Sequence, residues 1–204
     1  MNIKGCLACE YCHTKAFRTC SQKDDMQKVY PVLDEADMIV LASPIYYHGF
    51  SGQLQCAINR IYAPGFPKKL KKAALLLSSG DKGVYDGAIF AYQNSFIEYL
   101  HLENMGIFTA AGSENKSEEM LTRLTAAGAA LTDPDDHNVA RLVITAGDVT
   151  VKAKLKQRCI LIRVDRKGIG LLSLISGSMP FSIYGCISFR WPGPWNRGST
   201  SAVW

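Results

Sequence analysis

The chain has 204 residues, of which 48% are hydrophobic and 20% are charged, a composition typical of a globular protein with one core. Collagen-like, coiled-coil and wholly disordered classes are excluded. No run approaches the roughly 18–20 consecutive apolar residues of a membrane span, and no basic-then-apolar leader opens the chain. We therefore expect a cytoplasmic protein.

The formal net charge of +5 is concentrated in the last third of the chain. Residues 1–131 carry no net charge, whereas residues 132–204 carry the whole excess, contain no Glu and hold all three Trp. We expect a domain boundary at the turn-rich segment near residue 132. A basic tail can bind nucleic acid or anionic lipid, but solvated charge is the commoner reason for such a composition, and we expect neither partner.

A helix and a strand are predicted directly after the first twenty residues. Asp24 or Asp25 is placed to cap the helix, whose apolar residues recur with helical spacing up to Ala36. Pro31 predicts a kink within it. The continuous apolar run Met38–Ala42, closed by Ser43-Pro44, predicts a strand buried on both faces.

Two further helix–strand pairs follow in the same order. Ser51 is placed to cap a helix that turns Leu54, Ile58 and Ile61 inward. The remaining predicted elements are a strand at Ala73–Leu77, a helix over roughly 86–104 with Gly106 just past its end, a strand at Gly106–Ala111 and a last helix opened by Ser117. This alternation predicts an α/β fold with a parallel sheet and right-handed crossovers.

Ligands of such sheets bind outside the carboxyl ends of the strands. The segments that follow those ends are Ser43–Gly49, Ser78–Gly83 and Ala111–Asn115. We expect any active site there.

The helix–strand pattern decays beyond residue 131. Ala140–Ala146, Cys159–Val164 and Gly168–Ser176 are candidate strands, whereas Trp191–Trp195 is neither helix nor strand because it contains two prolines and a glycine. We expect residues 132–204 to form a basic tail of unclear fold that packs poorly and is cleaved first by a protease.

Four of the seven cysteines lie within the first twenty residues, in the spacing Cys6-x2-Cys9-x2-Cys12-x7-Cys20. Three thiolates at intervals of three wrap one side of an iron–sulfur cubane, and a fourth from a short loop closes it. Structural zinc more often uses two Cys-x2-Cys pairs a dozen or more residues apart. A cluster is therefore favoured, with zinc and free thiols left open. His13 is expected to be a solvent-facing neighbour, and Cys56 a small core residue.

These motifs form an ordered series along the chain. Gly5–Cys12, Cys20, Asp24–Met26, Ala36–Val40 and Ser43–Tyr47 resemble the iron–sulfur flavoproteins, in the NADPH-dependent FMN reductase branch of the flavodoxin-like fold. The resemblance continues through Gln53–Gln55, Asn59-Arg60 and Ser79-Gly80 to the helix that ends near Leu131. It implies a three-layer parallel sheet with a [4Fe–4S] cluster on Cys6, Cys9, Cys12 and Cys20. It also implies FMN beside that cluster in a homo-oligomer.

The resemblance further implies a flavin site. The residues that would line the isoalloxazine are Ser43, Pro44, Ile45, Tyr46, Tyr47 and Gly49, with Ser79 and Gly80 near its edge. Loops at strand ends can offer backbone N–H groups to the ring, and an aromatic side chain can cover its face. The alternative is that Tyr46 and Tyr47 only pack, and a lone loop histidine such as His48 is more often idle than catalytic.

Members of this family begin with a strand, a phosphate-binding loop, a helix and a second strand before the cysteines, a unit of roughly 30 residues. Only five residues precede Cys6, so we expect a fold that is incomplete at its N-terminus, as in a gene fragment or a frameshift. We expect FMN to bind weakly without the phosphate loop. Gly170–Ser178, an apolar run followed by Gly-Ser, loosely imitates the missing strand and loop.

No nucleophile–base pair stands out, which argues against hydrolase classes. The function that this sequence favours is an FMN-dependent oxidoreductase or electron-transfer flavoprotein with NAD(P)H or reduced ferredoxin as electron source. The alternative is a truncated cofactor-free remnant or a zinc-stabilised, non-enzymatic module.

Overall fold

The computed structural model describes residues 1–130 and, further along the chain, four strands. The helices are α1 (Tyr11–Thr14), α2 (Met26–Glu35), α3 (Gly52–Arg60), α4 (Asp86–Tyr92) and α5 (Glu118–Ala130). The strands are β1 (Met38–Tyr46), β2 (Gly49–Phe50), β3 (Lys72–Ser79), β4 (Glu103–Ala111), β5 (Ala140–Ala146), β6 (Val149–Leu155), β7 (Cys159–Asp165) and β8 (Gly168–Ser173). A π-helix (Gln93–Tyr99) continues α4, and a 3₁₀-helix (Gly112–Lys116) leads into α5.

Within these ranges, the main sheet has six strands, of which four are parallel in the order β4-β3-β1-β7, while β8 and β2 are added antiparallel to β7 and β1. The pairs Pro44↔Ser78 and Ser79↔Ala111 place the carboxyl ends of β1, β3 and β4 at one edge. The expected α/β fold with a mostly parallel sheet flanked by helices is confirmed, and it is consistent with a flavodoxin-like fold.

Both faces of the sheet are buried, as the unbroken apolar runs predict. Ile39 and Leu41 of β1 belong to a hydrophobic cluster that includes residues of α2, α3 and α4. Val40 and Ala42, which point to the opposite face because side chains alternate along a strand, are buried outside that cluster. The central strand is therefore enclosed on both sides.

The predicted caps are confirmed for two helices. The Ser51 hydroxyl accepts a hydrogen bond from the N–H of Leu54 at 3.3 Å, and the Ser117 hydroxyl accepts one from the N–H of Met120 at 3.1 Å. Each satisfies one of the N–H groups that a helix start leaves without a partner.

The predicted end of the helix over 86–104 was wrong. The helical segment ends at Tyr99, and Gly106 lies inside β4, where the pairing with β3 shifts register. Its φ is +134°, and a Cβ there would lie 2.8 Å from the Phe108 ring. This glycine therefore marks an irregularity in a strand and not the end of a helix.

The predicted end of the first strand also differs from the structure, because β1 continues through Ser43 and Pro44 to Tyr46. The pairing of β1 with β7 spans only Met38 to Ala42. Pro44, which has no N–H to donate, therefore lies beyond the stretch that is paired on both sides, where proline is tolerated.

Three of the tail strands were predicted, and β6 was missed although its residues alternate between apolar and polar. β5 and β6 form an antiparallel pair, whereas β7 joins the main sheet beside β1. β8 runs antiparallel to β7 and ends at Ser173, opposite Ile160. β8 thus ends at the amino-terminal edge of the sheet, and residues 174–178, which include the Gly-Ser that imitates a phosphate loop, lie outside the described residues. Trp191–Trp195 lies outside the described residues.

No helix among the described residues is long and apolar enough to cross a membrane.

Candidate functional site

The four N-terminal cysteines line a single pocket. Cys12 and Cys20 are buried at its inner side, whereas Cys6 and Cys9 are exposed. Arg60, from the end of α3, lines the same pocket. The structure therefore brings together the four residues that the spacing singled out.

Three non-glycine residues between these cysteines have positive φ angles, Ala8 (52°), Glu10 (54°) and Arg18 (62°). Left-handed residues of this kind can turn neighbouring N–H groups toward one side, and the resulting concavities bind anions and iron–sulfur clusters. The N–H of Ala8 donates to the Sγ of Cys6 at 3.4 Å. The loop is thus folded around its sulfur atoms.

Cys9 and Cys12 have opposite electrostatic environments. A hydrogen bond from the backbone of Tyr11 and another from Ser21, whose Oγ lies 3.8 Å from Sγ, lower the pKa of Cys9. Burial, together with the neighbouring Cys20 and Cys6, raises the pKa of Cys12. Thiolates are the usual ligands of iron–sulfur clusters, and a bound cation would stabilise the buried Cys12 as an anion.

In the part of the chain that the structure describes, no three His, Cys, Asp or Glu side chains are grouped closely enough to form a site for a metal ion. Two observations favour a cluster in this pocket. Four cysteines line it, and an N–H group and a hydroxyl group lie within hydrogen-bonding distance of the sulfur atoms of Cys6 and Cys9.

A buried ion pair fixes the position of Arg60, one of the side chains that line this pocket. Arg60 donates to both carboxylate oxygens of Asp24, at 2.9 and 3.2 Å, and also to the carbonyl of Lys4 at 3.0 Å. The side chains of Arg60 and Asp24 are 1% and 7% exposed. Burial alone would raise the pKa of Asp24, but hydrogen bonds from Arg60 and from the N–H groups of Lys4 and Met26 outweigh it and lower that pKa.

The short helix α1 is fastened to the residues after α3. The His13 ring contacts the Tyr62 ring in a tilted arrangement at a centroid distance of 4.3 Å, and its Nε2 lies 3.0 Å from the Tyr62 carbonyl oxygen. The Tyr62 hydroxyl donates to the Glu10 carboxylate at 3.0 Å. His13, exposed as expected, therefore contributes to the position of the segment that carries the four cysteines (residues 6–20), called the cysteine loop below.

The three segments predicted at the carboxyl ends of the strands meet at one edge. The amide of Asn115 donates to the carbonyls of Ser79, at 3.0 Å, and Gly112, at 3.1 Å. A Cβ at Gly112 would lie 3.4 Å from the Gly80 carbonyl oxygen, which shows how closely the second and third segments approach.

The segment Ser43–Gly49 contains the end of β1, a tight turn at Tyr47 and His48, and the start of β2. The Ser43 hydroxyl is buried and accepts from the N–H of Ser51 at 3.0 Å, so it fixes the start of α3 and is not open to a ligand. Tyr46 and Tyr47 are exposed, the latter completely, and Tyr47 and His48 have positive φ angles. Two aromatic rings are therefore presented to solvent at the strand ends.

The cysteine pocket and this edge lie at opposite ends of α3. Ser51 and Gly52 begin the helix at the carboxyl edge, and Arg60 ends it at the pocket. A helix of nine residues spans roughly 13 Å. One chain thus carries two distinct candidate regions joined by a rigid element. Sequence reasoning had not predicted the buried Arg60–Asp24 pair, because a basic residue in the last turn of a helix usually faces solvent.

The sequence matches that of the NADPH-dependent FMN reductase family over residues 2–126. Among characterised relatives, an iron–sulfur flavoprotein of Archaeoglobus fulgidus is 32% identical over 90 residues, which cover 44% of this chain and 35% of that protein. An iron–sulfur flavoprotein of Methanocaldococcus jannaschii is 39% identical over 61 residues, or 30% of each chain. One of Methanosarcina thermophila is 28% identical over 106 residues, or 50% of this chain and 53% of the relative. The chain therefore spans about a third to a half of these relatives.

Proposed function

Because this chain belongs to the NADPH-dependent FMN reductase family, we propose that it is an FMN-dependent oxidoreductase that transfers electrons through a [4Fe–4S] cluster. The ligands of the cluster are Cys6, Cys9, Cys12 and Cys20. The electron source of the protein is NAD(P)H or reduced ferredoxin. The observation that carries this proposal is the convergence of the four thiols on one pocket. FMN exchanges electrons in pairs or singly, and an iron–sulfur cluster exchanges them singly.

The protein contributes position and shielding. At the flavin edge, the turn from Pro44 to Gly49 and the Ser79–Gly80 loop offer backbone groups to the polar rim of the ring, and Tyr46 or Tyr47 covers a face. Gly80 is exposed, and no atom lies within 4 Å of where its Cβ would be, so a planar ligand can approach its backbone closely.

We further propose that the active form is a homo-oligomer. Leu7 and Phe17, which belong to the cysteine loop, are 67% and 86% exposed, and Tyr47 at the other end of α3 is completely exposed. Large apolar side chains exposed beside a redox site favour contact with a second copy, which would also shield the site from water.

The experiment that tests the cluster is anaerobic reconstitution of the full chain with iron and sulfide, followed by visible absorption and assays of iron, sulfide and zinc. We expect a yellow-brown protein with about four irons per chain. Colourless protein with stoichiometric zinc would support the non-enzymatic module, and colourless metal-free protein would support the remnant.

Flavin binding has its own test, a comparison of FMN with riboflavin by titration. Each charge-assisted hydrogen bond to the phosphate is worth about 1.5–3 kcal/mol. The proposed contacts at Pro44–Gly49 and Ser79–Gly80 are contacts to the ring alone, so they should bind FMN and riboflavin with similar affinity. Tight FMN binding with far weaker riboflavin binding would show that the chain also holds a phosphate site.

A further inference from the structure

Arg60 holds a donor that nothing in the described structure uses. Its two terminal nitrogens are engaged by Asp24 and the Lys4 carbonyl. Its Nε is buried and, among the described residues, has no hydrogen-bond partner. Leaving a buried donor unpaired costs about 1–3 kcal/mol, more when the group is charged, so such an atom indicates a partner outside the described residues.

The cysteine pocket can hold that partner, because Arg60 is one of the side chains that line it with the four cysteines. The acceptors that occupy the pocket in the proposed function are sulfur atoms with negative charge. A cationic N–H is a strong donor to such an acceptor.

We infer that Arg60 is a positioning residue whose Nε–H donates a hydrogen bond to a sulfur atom of the cluster and whose fixed positive charge raises the reduction potential of the cluster. This inference rests on the proposed function. Reduction adds one electron and therefore one negative charge to the cluster, which a neighbouring cation stabilises. Hydrogen bonds to cluster sulfurs act in the same direction.

The surroundings of Arg60 keep the charge in place. The Asp24 carboxylate holds its guanidinium from one side with two nearly parallel hydrogen bonds, a geometry that lysine cannot reproduce. The backbone carbonyl of Arg60 accepts from the buried hydroxyl of Tyr30 at 3.3 Å.

The test compares reduction potentials, measured by a redox titration of the reconstituted full chain. Arg60→Lys keeps a positive charge but removes Nε, and Asp24→Asn loosens the same ion pair while it retains Nε. We expect Arg60→Lys to lower the potential by a tenfold change in the reduced-to-oxidised ratio, which is about 59 mV for one electron. Asp24→Asn should leave the potential unchanged or raise it. Equal shifts in both variants, or none in Arg60→Lys, would overturn the inference.

A second measurement needs no variant of Arg60. In the reduced protein carrying ¹⁵N-labelled arginine, pulsed electron paramagnetic resonance should detect a ¹⁵N coupling to the cluster. The coupling should persist in Arg18→Lys, the other arginine near the cysteine loop, which pairs with Asp34 on the surface. Absence of the coupling in a loaded protein would overturn the inference alone, whereas failure of the chain to load iron would overturn the proposed function with it.

Discussion

Cys9 and Cys12 are three residues apart, yet one thiol is activated by donors and the other is disfavoured as an anion by burial. Free cysteines in this arrangement would differ in reactivity, with Cys9 the first to be modified because its thiolate is the more accessible.

Replacement of Cys9 by serine should abolish most iron loading, because it removes the ligand with the lowered pKa. Cys159→Ser is the matched control, since Cys159 pairs with Met38 in the sheet and is far along the chain from the loop. Iron and sulfide per chain after anaerobic reconstitution give the measurement. Equal losses in the two variants would contradict the ligand assignment.

The Asp24 carboxylate should make stability depend on pH. Its pKa is lowered in the folded state, so the unfolded state binds the proton more readily, and the free energy of unfolding should fall as the pH drops below about 4, through the folded-state pKa. Above that range its contribution is constant. Asp24→Asn should cost about 3–5 kcal/mol at neutral pH, because it leaves a buried arginine without its counter-charge, and should flatten the acid dependence.

Urea unfolding at several pH values measures both effects. Asp25→Asn is the adjacent control, since Asp25 pairs with the exposed Lys28 and surface pairs contribute little. An equal loss of unfolding free energy in both variants would show that the buried Arg60–Asp24 pair contributes no more to stability than the surface pair.

Individual residues at the site differed in how far the sequence predicted them. The shared pocket of the four cysteines could be predicted from their spacing, whereas their role as cluster ligands stays a prediction. Arg60 could not, since neither its helical position nor its neighbours indicate burial, and only the fold brings Asp24 from the start of another helix to pair with it. A tertiary contact of this kind leaves no periodic signal.

At the level of elements, the position of the turn between β1 and β2 depends on a glycine in helix α4. A Cβ at Gly87, in α4, would lie 2.5 Å from the carbonyl oxygen of His48. The turn that carries Tyr46 and Tyr47 can therefore hold its position only because α4 has no side chain there.

Gly87→Ala should displace either the turn or α4. We expect a loss of about 1–3 kcal/mol in the free energy of unfolding, the usual cost of overpacking, and weaker flavin binding at the displaced turn. Gly52→Ala is the control, because no atom lies within 4 Å of its Cβ, and it should leave both quantities unchanged or improve stability slightly. Denaturation and flavin titration of the two variants give the comparison, and the same result in both would contradict this account.

The elements themselves were largely predictable where pattern and chemistry agreed. The caps at Ser51 and Ser117 and the buried runs in β1 and β3 follow from local rules. The predicted ends of the elements were wrong at Pro44 and Gly106. These residue types often end a strand or a helix, but here both lie inside strands of the sheet. Proline was tolerated beyond the doubly paired stretch, and glycine was needed for a bulge.

For the molecule as a whole, the position of β7 matters most. It covers the side of β1 that β3 leaves open, through parallel pairing from Met38 to Ala42. The division of the chain near residue 131, inferred from composition, stays a prediction. Composition describes the charge of a segment and does not reveal which strand it joins.

A chain truncated after Ala130 should self-associate. Loss of β7 leaves the N–H and C=O groups of β1 unpaired along one side, and an exposed apolar strand edge is a site of aggregation. Light scattering of the truncated and full-length proteins over a range of concentrations measures this. A truncated protein with unchanged melting temperature and no added association would instead favour the boundary near residue 131.

The pairing of β1 with β7 also has a consequence for biosynthesis. Met38 meets Cys159 in the sheet, so the ribosome has to make about 120 further residues before the central strand can acquire its second neighbour. Contacts between such distant residues close slowly, because the loop entropy is lost before the pairing energy is gained. During translation the nascent chain therefore exposes its most hydrophobic strand for several seconds at rates of about 5–20 residues per second. Chaperone demand should be highest in that interval, and synonymous codons that slow the stretch between β4 and β7 should reduce the soluble yield.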